Sequence, residues 1–179
     1  MITVDELLER FEYRSDGHLY RKHNSGKSRA GDQLGTAQKR KGQYHRIAVL
    51  DGRVFSLQRL IYFIHHGEYQ VSIVHLNGDT MDNRIENLRL ATASQVSGHQ
   101  KMKKNNTSGF KGVYYDKVRN RFEASIMVGG KRTRLGRFKT AEEAASAYRD
   151  AALQHFGEFA RFDSPGGGMI DDTKKELND

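Results

Sequence analysis

Apolar residues recur at helical spacing near the N-terminus and predict a short helix over residues 5–11. The pair Asp16-Gly17 follows between two apolar runs and predicts a β-hairpin. Residues 26–41 are rich in glycine, lysine and arginine. They predict a long basic loop that is better suited to contact with phosphates than to packing.

The next apolar runs predict a second hairpin and a short buried helix. Residues 44–50 and 53–57 have the character of strands, and Asp51-Gly52 between them is a strong signal for a two-residue turn. Large apolar side chains then continue at helical spacing. Gly67 should end this helix, because glycine readily adopts the left-handed conformation that follows a helix C-terminus.

Residues 71–99 predict a strand, a loop, a second strand and a helix. The first strand is a β-branched run that ends at His75, and the second covers residues 88–90. Thr92 and Gln95 have the spacing of a capping box, so a helix should begin directly after the threonine. This arrangement leaves a histidine at the end of the first strand.

A different pattern fills residues 107–163. Three strand-like runs, 110–115, 121–128 and 131–138, precede one helix, and two glycines form a tight turn between the last two runs. A Thr-x-x-Glu capping box and a stripe of small residues predict that the helix covers 141–156 and lies close against the sheet. The pattern therefore predicts a three-stranded antiparallel sheet packed on one helix.

The basic and polar run at residues 101–109 has the composition of a linker, and we place a domain boundary within it. The predicted organisation is a first domain over residues 1–104, a second over 105–163 and a disordered tail over 164–179. The predicted fold class is α+β.

The charge balance favours an anionic polymer as the partner. The chain has 30 lysines and arginines against 22 aspartates and glutamates, a formal charge of +8, and its pI is near 9.7. A pI above about 9 is typical of nucleic-acid-binding domains. Many basic proteins bind nothing specific, so the charge alone does not establish nucleic-acid binding and sequence motifs are needed as further evidence.

Two absences narrow the classes of protein that fit. The chain has no cysteine, which excludes disulfides, thiolate zinc sites and cysteine nucleophiles and is consistent with a reducing cytoplasm. The N-terminus carries acids where a signal peptide needs a basic region, and no run approaches the roughly 20 apolar residues of a membrane span. We therefore expect a soluble, cytoplasmic protein without a membrane partner.

His75 is the candidate for chemistry in the first domain. A near-neutral imidazole can take the proton from an attacking water, and a divalent metal can neutralise the charge on the leaving oxygen of a phosphodiester. A single histidine among the 8 in the chain more often has a structural role than a catalytic one. The residues around His75 are therefore needed to support a catalytic role.

That pattern comprises His75-Leu76-Asn77-Gly78-Asp79 and Asp82-Asn83-Arg84-Ile85-Glu86-Asn87-Leu88-Arg89-Leu90-Ala91-Thr92. It resembles the ββα-metal motif, or His-Me finger, of phage-type HNH homing endonucleases. The resemblance implies that His75 is the general base and that Asn87 is the central asparagine that pins the loop and orients the histidine. It also implies a divalent metal, Mg²⁺ or Mn²⁺.

Two positions depart from that family pattern, and both concern the metal. The residue before the histidine is Val74 where the family usually has aspartate, and Val96 occupies the helix position that usually supplies an asparagine ligand. Valine has no oxygen to offer Mg²⁺. His99, three residues further along the helix, is the candidate substitute ligand, although imidazole suits Mn²⁺ better.

The predicted sheet of the second domain presents one basic face. Strands can read the major groove, where arginine is the commonest partner of guanine. A solvated surface is the alternative, but the arginines here face one way with few acids among them. In the middle strand, the residues predicted to be exposed are Arg121, Glu123, Ser125 and Met127. The candidate DNA-binding residues are Lys111, Tyr114, Tyr115, Lys117, Arg119, Arg121, Arg132, Arg134 and Arg137.

Four stretches of the second domain carry a further resemblance: residues 107–113, 134–138, 140–145 and 156–161. They are similar to the APETALA-type, or ethylene-response-factor, DNA-binding domain in the form attached to phage HNH nucleases. The order of the two domains is itself a feature of those nucleases. The resemblance implies double-stranded DNA as the partner, with no small-molecule substrate.

The leading interpretation is a metal-dependent DNA endonuclease, a hydrolase of phosphodiester bonds, that acts as a monomer in a phage-infected or bacterial host cell. Val74 and Val96 favour the alternative, a nuclease-derived DNA-binding protein or regulator without cleavage. An RNA-binding role is a distant third, because the sequence lacks the usual aromatic platform for stacking bases.

Overall fold

The structure is a computed structural model that describes residues 2–162. The predicted tail at 164–179 therefore lies outside the described residues. The chain divides into two compact units, Met1–Ala91 and Thr92–Asp179. Both units combine helices with small antiparallel sheets, which confirms the predicted α+β class. Within residues 2–162, none of the helices combines the length and the apolar character that a bilayer crossing requires.

The described part of the first unit contains two α-helices and three small antiparallel sheets, β1–β2, β3–β4–β5 and β6–β7. Its elements in chain order are α1 (Val4–Arg10), β1 (Phe11–Arg14), β2 (His18–Arg21), β3 (Thr36–Arg40), β4 (Gln43–Leu50), β5 (Arg53–Ser56), α2 (Leu57–His66), β6 (Ile73–His75), a 3-10 helix (Ile85–Asn87) and β7 (Leu88–Leu90).

The turns and the helix end that the sequence predicts in this unit are confirmed. Hairpins form at Asp16-Gly17 and at Asp51-Gly52, and both residues of the second turn have positive φ, 50° and 75°. Gly67 ends α2 with a φ of 74°. The core of the unit is built from fully or almost fully buried side chains of α1, β1, β2, β4, α2, β6 and β7, together with Leu34.

The prediction of a long basic loop over residues 26–41 is wrong at its C-terminal end, where Thr36–Arg40 form β3. All five side chains of this strand are exposed, so no apolar alternation marks it in the sequence. The strand forms because Lys41 and Gly42, with φ of 50° and 82°, make a tight turn that returns the chain onto β4. An edge strand can remain polar on both faces, since β4 supplies its backbone hydrogen bonds.

The second unit contains a three-stranded antiparallel sheet in the order β10–β9–β8. Its elements are α3 (Ala93–His99), β8 (Val113–Asp116), β9 (Arg121–Val128), β10 (Lys131–Phe138), α4 (Ala141–Phe156) and a 3-10 helix (Gly157–Phe159). Helix α4 buries Ala144, Tyr148 and Ala152. Capping boxes begin both α3 and α4, as the sequence predicts, and the predicted sheet on one helix is confirmed.

Strand β8 begins at Val113, later than the predicted start at residue 110. The preceding segment is held by side chains instead of by a strand ladder. Asn106 Nδ2 donates to the carbonyl oxygen of Phe110 at 2.9 Å, and Ser108 Oγ donates to that of Val113 at 2.8 Å. These bonds bend the chain before it enters the sheet.

Helix α3 belongs to the second unit, whereas the sequence places the domain boundary after it, near residue 104. A Cβ added at Gly98 would lie 2.6 Å from the ring of Phe156, so the helix backbone lies directly on that ring. His99 Nδ1 lies 3.3 Å from the carbonyl oxygen of Phe159. Lys111 Nζ contacts the carbonyl oxygen of Gly98 and also that of Gln100, the latter at 2.7 Å. Packing of α3 therefore depends on a glycine and on the end of α4.

Gly98→Ala should destabilise the second unit by about 1–3 kcal/mol, because the added methyl group meets the buried ring of Phe156. Alanine has a higher helix propensity than glycine, which alone would stabilise the helix. A loss of stability would therefore report the clash with Phe156. Thermal unfolding monitored by circular dichroism would measure it. Ser97→Ala on the exposed side of the same helix is the control and should change little. Equal melting temperatures for Gly98→Ala and the original chain would contradict the packing.

Candidate active site and DNA-binding face

His75 lies at the end of β6, and its side chain is buried with 4% exposure. Its Nε2 lies 3.0 Å from Asn83 Oδ1. Asn83 Nδ2 donates to the carbonyl oxygen of Met81 at 3.3 Å, so the amide oxygen faces the imidazole. His75 Nε2 is therefore the nitrogen that carries the proton, and Nδ1 carries the lone pair.

Burial lowers the pKa of His75 below its usual value of 6.5, and the hydrogen bond to Asn83 opposes this shift. The nearby His45 lowers the pKa further, while Asp79 and Asp82 raise it. The imidazole is therefore neutral at pH 7. Neutral imidazole is the form that can accept a proton from water.

Asn87 fastens the loop that follows His75. Its Oδ1 accepts from the backbone N–H of Asn77 at 2.9 Å, and its Nδ2 donates to the carbonyl oxygen of Asp82 at 2.8 Å. The same Nδ2 donates to Asn77 Oδ1 at 3.0 Å. Asn87 is buried with 8% exposure, so these bonds form away from most of the solvent. One side chain thus ties both ends of the loop over residues 77–82.

Asp82 stabilises the same loop as a carboxylate. Hydrogen bonds from Arg84, at 2.8 Å from Nε and 2.7 Å from Nη2, hold its pKa at about 2. Asn77 Nδ2 also donates to this carboxylate, at 2.7 Å. Asp82 therefore stays ionised near neutral pH and is engaged by neighbouring donors.

Asn83 is the residue that sequence reasoning missed, since the pair Asp82-Asn83 indicates only a turn. Its side chain is 1% exposed and contacts the imidazole directly. A buried amide in a polar loop implies hydrogen-bond partners on both of its atoms. The sequence does not show which asparagine of the loop is buried against His75.

The residues present do not fit the divalent metal that the family pattern implies. Val74 and Val96 are half-buried hydrocarbon side chains at the two positions where oxygen ligands are expected. Within residues 2–162, no three or more His, Cys, Asp or Glu side chains form a group that could hold a metal ion. The third candidate, His99, is buried, and its Nδ1 lies against the Phe159 carbonyl oxygen.

The candidate DNA-binding face is the side of the sheet opposite α4. In the antiparallel register, Tyr114 pairs with Glu123, Arg132 with Met127, Arg134 with Ser125 and Arg137 with Glu123. Cross-strand partners lie on the same face of a sheet. We call this surface the open face; its residues are Tyr114, Asp116, Arg121, Glu123, Ser125, Met127, Arg132, Arg134 and Arg137.

The prediction that Glu123 and Ser125 are exposed is wrong, although the alternation of faces is right. They are 6% and 9% exposed because the longer side chains of neighbouring strands cover them. Arg134 Nε lies 3.1 Å from Glu123 Oε1 and Arg137 Nε lies 3.1 Å from Oε2. Arg132 Nε donates to Ser125 Oγ at 3.0 Å. The arginines therefore form the outer layer of the open face.

The hydrogen bond from Tyr114 and the adjacent Arg137 and Arg134 hold the pKa of Glu123 below its usual value. Its carboxylate therefore stays ionised at neutral pH. Arg132 also lies over the ring of Tyr114, with its Cζ 5.1 Å from the ring centroid. Tyrosine, carboxylate and arginines thus form one connected network on the open face.

The other candidate DNA-binding residues have different environments. Lys111 caps the end of α3, and Tyr115 faces Phe122 with ring centroids 5.0 Å apart. Arg119 forms an ion pair with Asp116 at 3.0 Å. Lys117 and Arg121 are exposed. The structure therefore brings together Arg132, Arg134 and Arg137. Arg121 lies on the same open face at the start of β9, whereas Lys111, Lys117 and Arg119 lie outside the strands.

Comparison with known proteins finds two family domains in the chain. Residues 56–97 match the HNH endonuclease family and residues 108–158 match the AP2 domain. The chain is also similar to Protein 3.8 of Escherichia phage T7, with 34% identity over 90 residues, which are 50% of this chain and 74% of that protein. The chain therefore belongs to the HNH endonuclease family and carries an AP2 domain after its HNH domain.

Proposed function

We propose that this protein binds double-stranded DNA with sequence preference through the open face of its AP2 domain. The observation that carries the proposal is the way in which Arg132, Arg134 and Arg137 are held. Each is anchored to the sheet through Nε, and none of their Nη atoms has a hydrogen-bond partner among the described residues. Paired Nη donors are the groups with which arginine contacts guanine or a phosphate.

A second candidate function is hydrolysis of a DNA phosphodiester bond by the HNH domain, as a homing-type endonuclease. The observation in its favour is the neutral imidazole of His75, which Asn83 holds in the tautomer that leaves Nδ1 able to accept a proton. His75 would take the proton of the attacking water at Nδ1. Val74 and Val96 predict slow cleavage, because charge on the leaving oxygen lacks the expected stabilisation.

Single substitutions test whether the open face reads sequence. Arg132→Ala and Arg134→Ala should each cost about 1–3 kcal/mol of preference for a selected duplex over a scrambled one, if these side chains contact bases. Fluorescence anisotropy with both duplexes measures this ratio. Lys131→Ala is the matched control, since Lys131 pairs with Val128 on the other side of the sheet. Equal loss on both duplexes would mean that the arginines bind phosphates only.

A further inference from the structure

We propose that Glu123 is a positioning residue for DNA recognition, whose carboxylate holds Arg134 and Arg137 in the orientation in which they contact bases. The inference rests on the proposed DNA-binding function. It adds a side chain that acts on the DNA through its neighbours.

The geometry places Glu123 at the centre of the open face. It lies in β9, the middle strand, and both of its oxygens are engaged. Oε1 accepts from Tyr114 Oη and lies 3.1 Å from Arg134 Nε, while Oε2 accepts from Arg137 Nε at 3.1 Å. The side chains of Arg134 and Arg137 are 58% and 35% exposed, whereas that of Glu123 is 8% exposed. The carboxylate of Glu123 is therefore covered, whereas the side chains of Arg134 and Arg137 are accessible to a ligand.

These contacts limit the conformations of the arginines before any DNA arrives. A free arginine loses rotamer freedom when it binds, and one that is already held by its Nε loses less. Using Nε for the internal contact keeps the two Nη groups available for a planar, two-bond contact. Glu123 therefore selects a subset of rotamers in which the Nη groups are available.

Because Glu123 is negatively charged, its positioning role and its general electrostatic effect on DNA binding predict different results when it is removed. An anion within a face that meets phosphates weakens attraction to every DNA sequence alike. If Glu123 positions the arginines, its removal should lower affinity for the correct sequence and raise affinity for the others. A role confined to sheet stability would shift both affinities in the same direction.

The experiment uses the full chain and a duplex selected by it from a randomised pool, with a scrambled duplex of the same composition. For Glu123→Gln we expect affinity for the selected duplex to fall by about tenfold and affinity for the scrambled one to rise by about twofold. Glu142→Gln removes one exposed carboxylate from α4 and is the control. It should leave the ratio of the two affinities unchanged.

Glu123→Asp provides a second measurement in case the glutamine variant folds poorly. It keeps the charge but is one methylene shorter, so it cannot reach both arginines. The ratio of the affinity for the selected duplex to that for the scrambled duplex should fall, without a rise in affinity for the scrambled duplex. An unchanged ratio in the folded variants would overturn the role of Glu123 and leave the DNA-binding proposal standing. A ratio near one for the original chain would overturn sequence-dependent binding itself, and the inference with it.

Discussion

Replacing Arg132, Arg134 and Arg137 together with alanine should lower affinity for duplex DNA by about a hundredfold or more at physiological salt. The three side chains are exposed on the open face and are anchored to it through Nε. Each cation that meets DNA releases about one condensed counterion. The slope of log affinity against log salt should therefore fall by up to about three units.

Anisotropy titrations at several salt concentrations measure both quantities. The triple substitution leaves Glu123 buried without its two arginines, so Glu123→Gln is added to the variant to avoid an uncompensated charge. A control with the same net change of charge, a loss of two positive charges, replaces Lys131 and Lys174 with alanine, and Lys174 lies outside the described residues. If the control lost as much affinity as the triple variant, DNA binding would depend on net charge and not on the open face.

Features determined by neighbouring residues could be predicted from the sequence. The turn at Asp51-Gly52, the end of α2 at Gly67 and the capping boxes each depend on a few adjacent side chains. Strand β3 escaped prediction because its pairing with β4 does not require apolar residues. The principle is that local conformational preferences are written in the sequence, while edge strands depend on their partners.

The candidate sites show the same division. His75 and Asn87 stand out in the sequence through a family pattern, and the structure shows each in a hydrogen-bonded network. The burial of Glu123 could not be read from β9, because its cover comes from Tyr114 on one neighbouring strand and arginines on the other. Side-chain contacts across strands depend on register, which alternation within one strand does not specify.

The valines at the expected ligand positions have a simple physical consequence. Val74 pairs with Arg89 in the short ladder of β6 and β7, where a β-branched side chain favours the extended backbone. Aspartate is less favourable in a strand. The substitution therefore favours the strand that ends at His75 while removing an oxygen donor beside it. The HNH fold can persist under this exchange even where cleavage does not.

The chain as it stands should cut plasmid DNA weakly with Mg²⁺, and Val74→Asp with Val96→Asn should raise the rate by about a hundredfold or more. The new side chains supply the hard oxygen ligands that Mg²⁺ prefers. Adding His75→Ala to this variant should abolish the gain, since the base would be lost. If His99 is a ligand in the original chain, Mn²⁺ should support faster cutting than Mg²⁺, because imidazole favours the transition metal.

A supercoiled-plasmid assay read as nicked and linear product separates these outcomes, with DNA affinity measured in parallel. Val71→Asp with Val96→Asn is the matched control, because it adds the same carboxylate at an exposed position three residues earlier. Robust Mg²⁺-dependent cutting by the original chain would show that the ligands lie elsewhere, and cutting that survives His75→Ala would remove the proposed base. Failure of the double substitution to restore cutting, with DNA binding intact, would mean that this HNH domain lacks more than its two oxygen ligands.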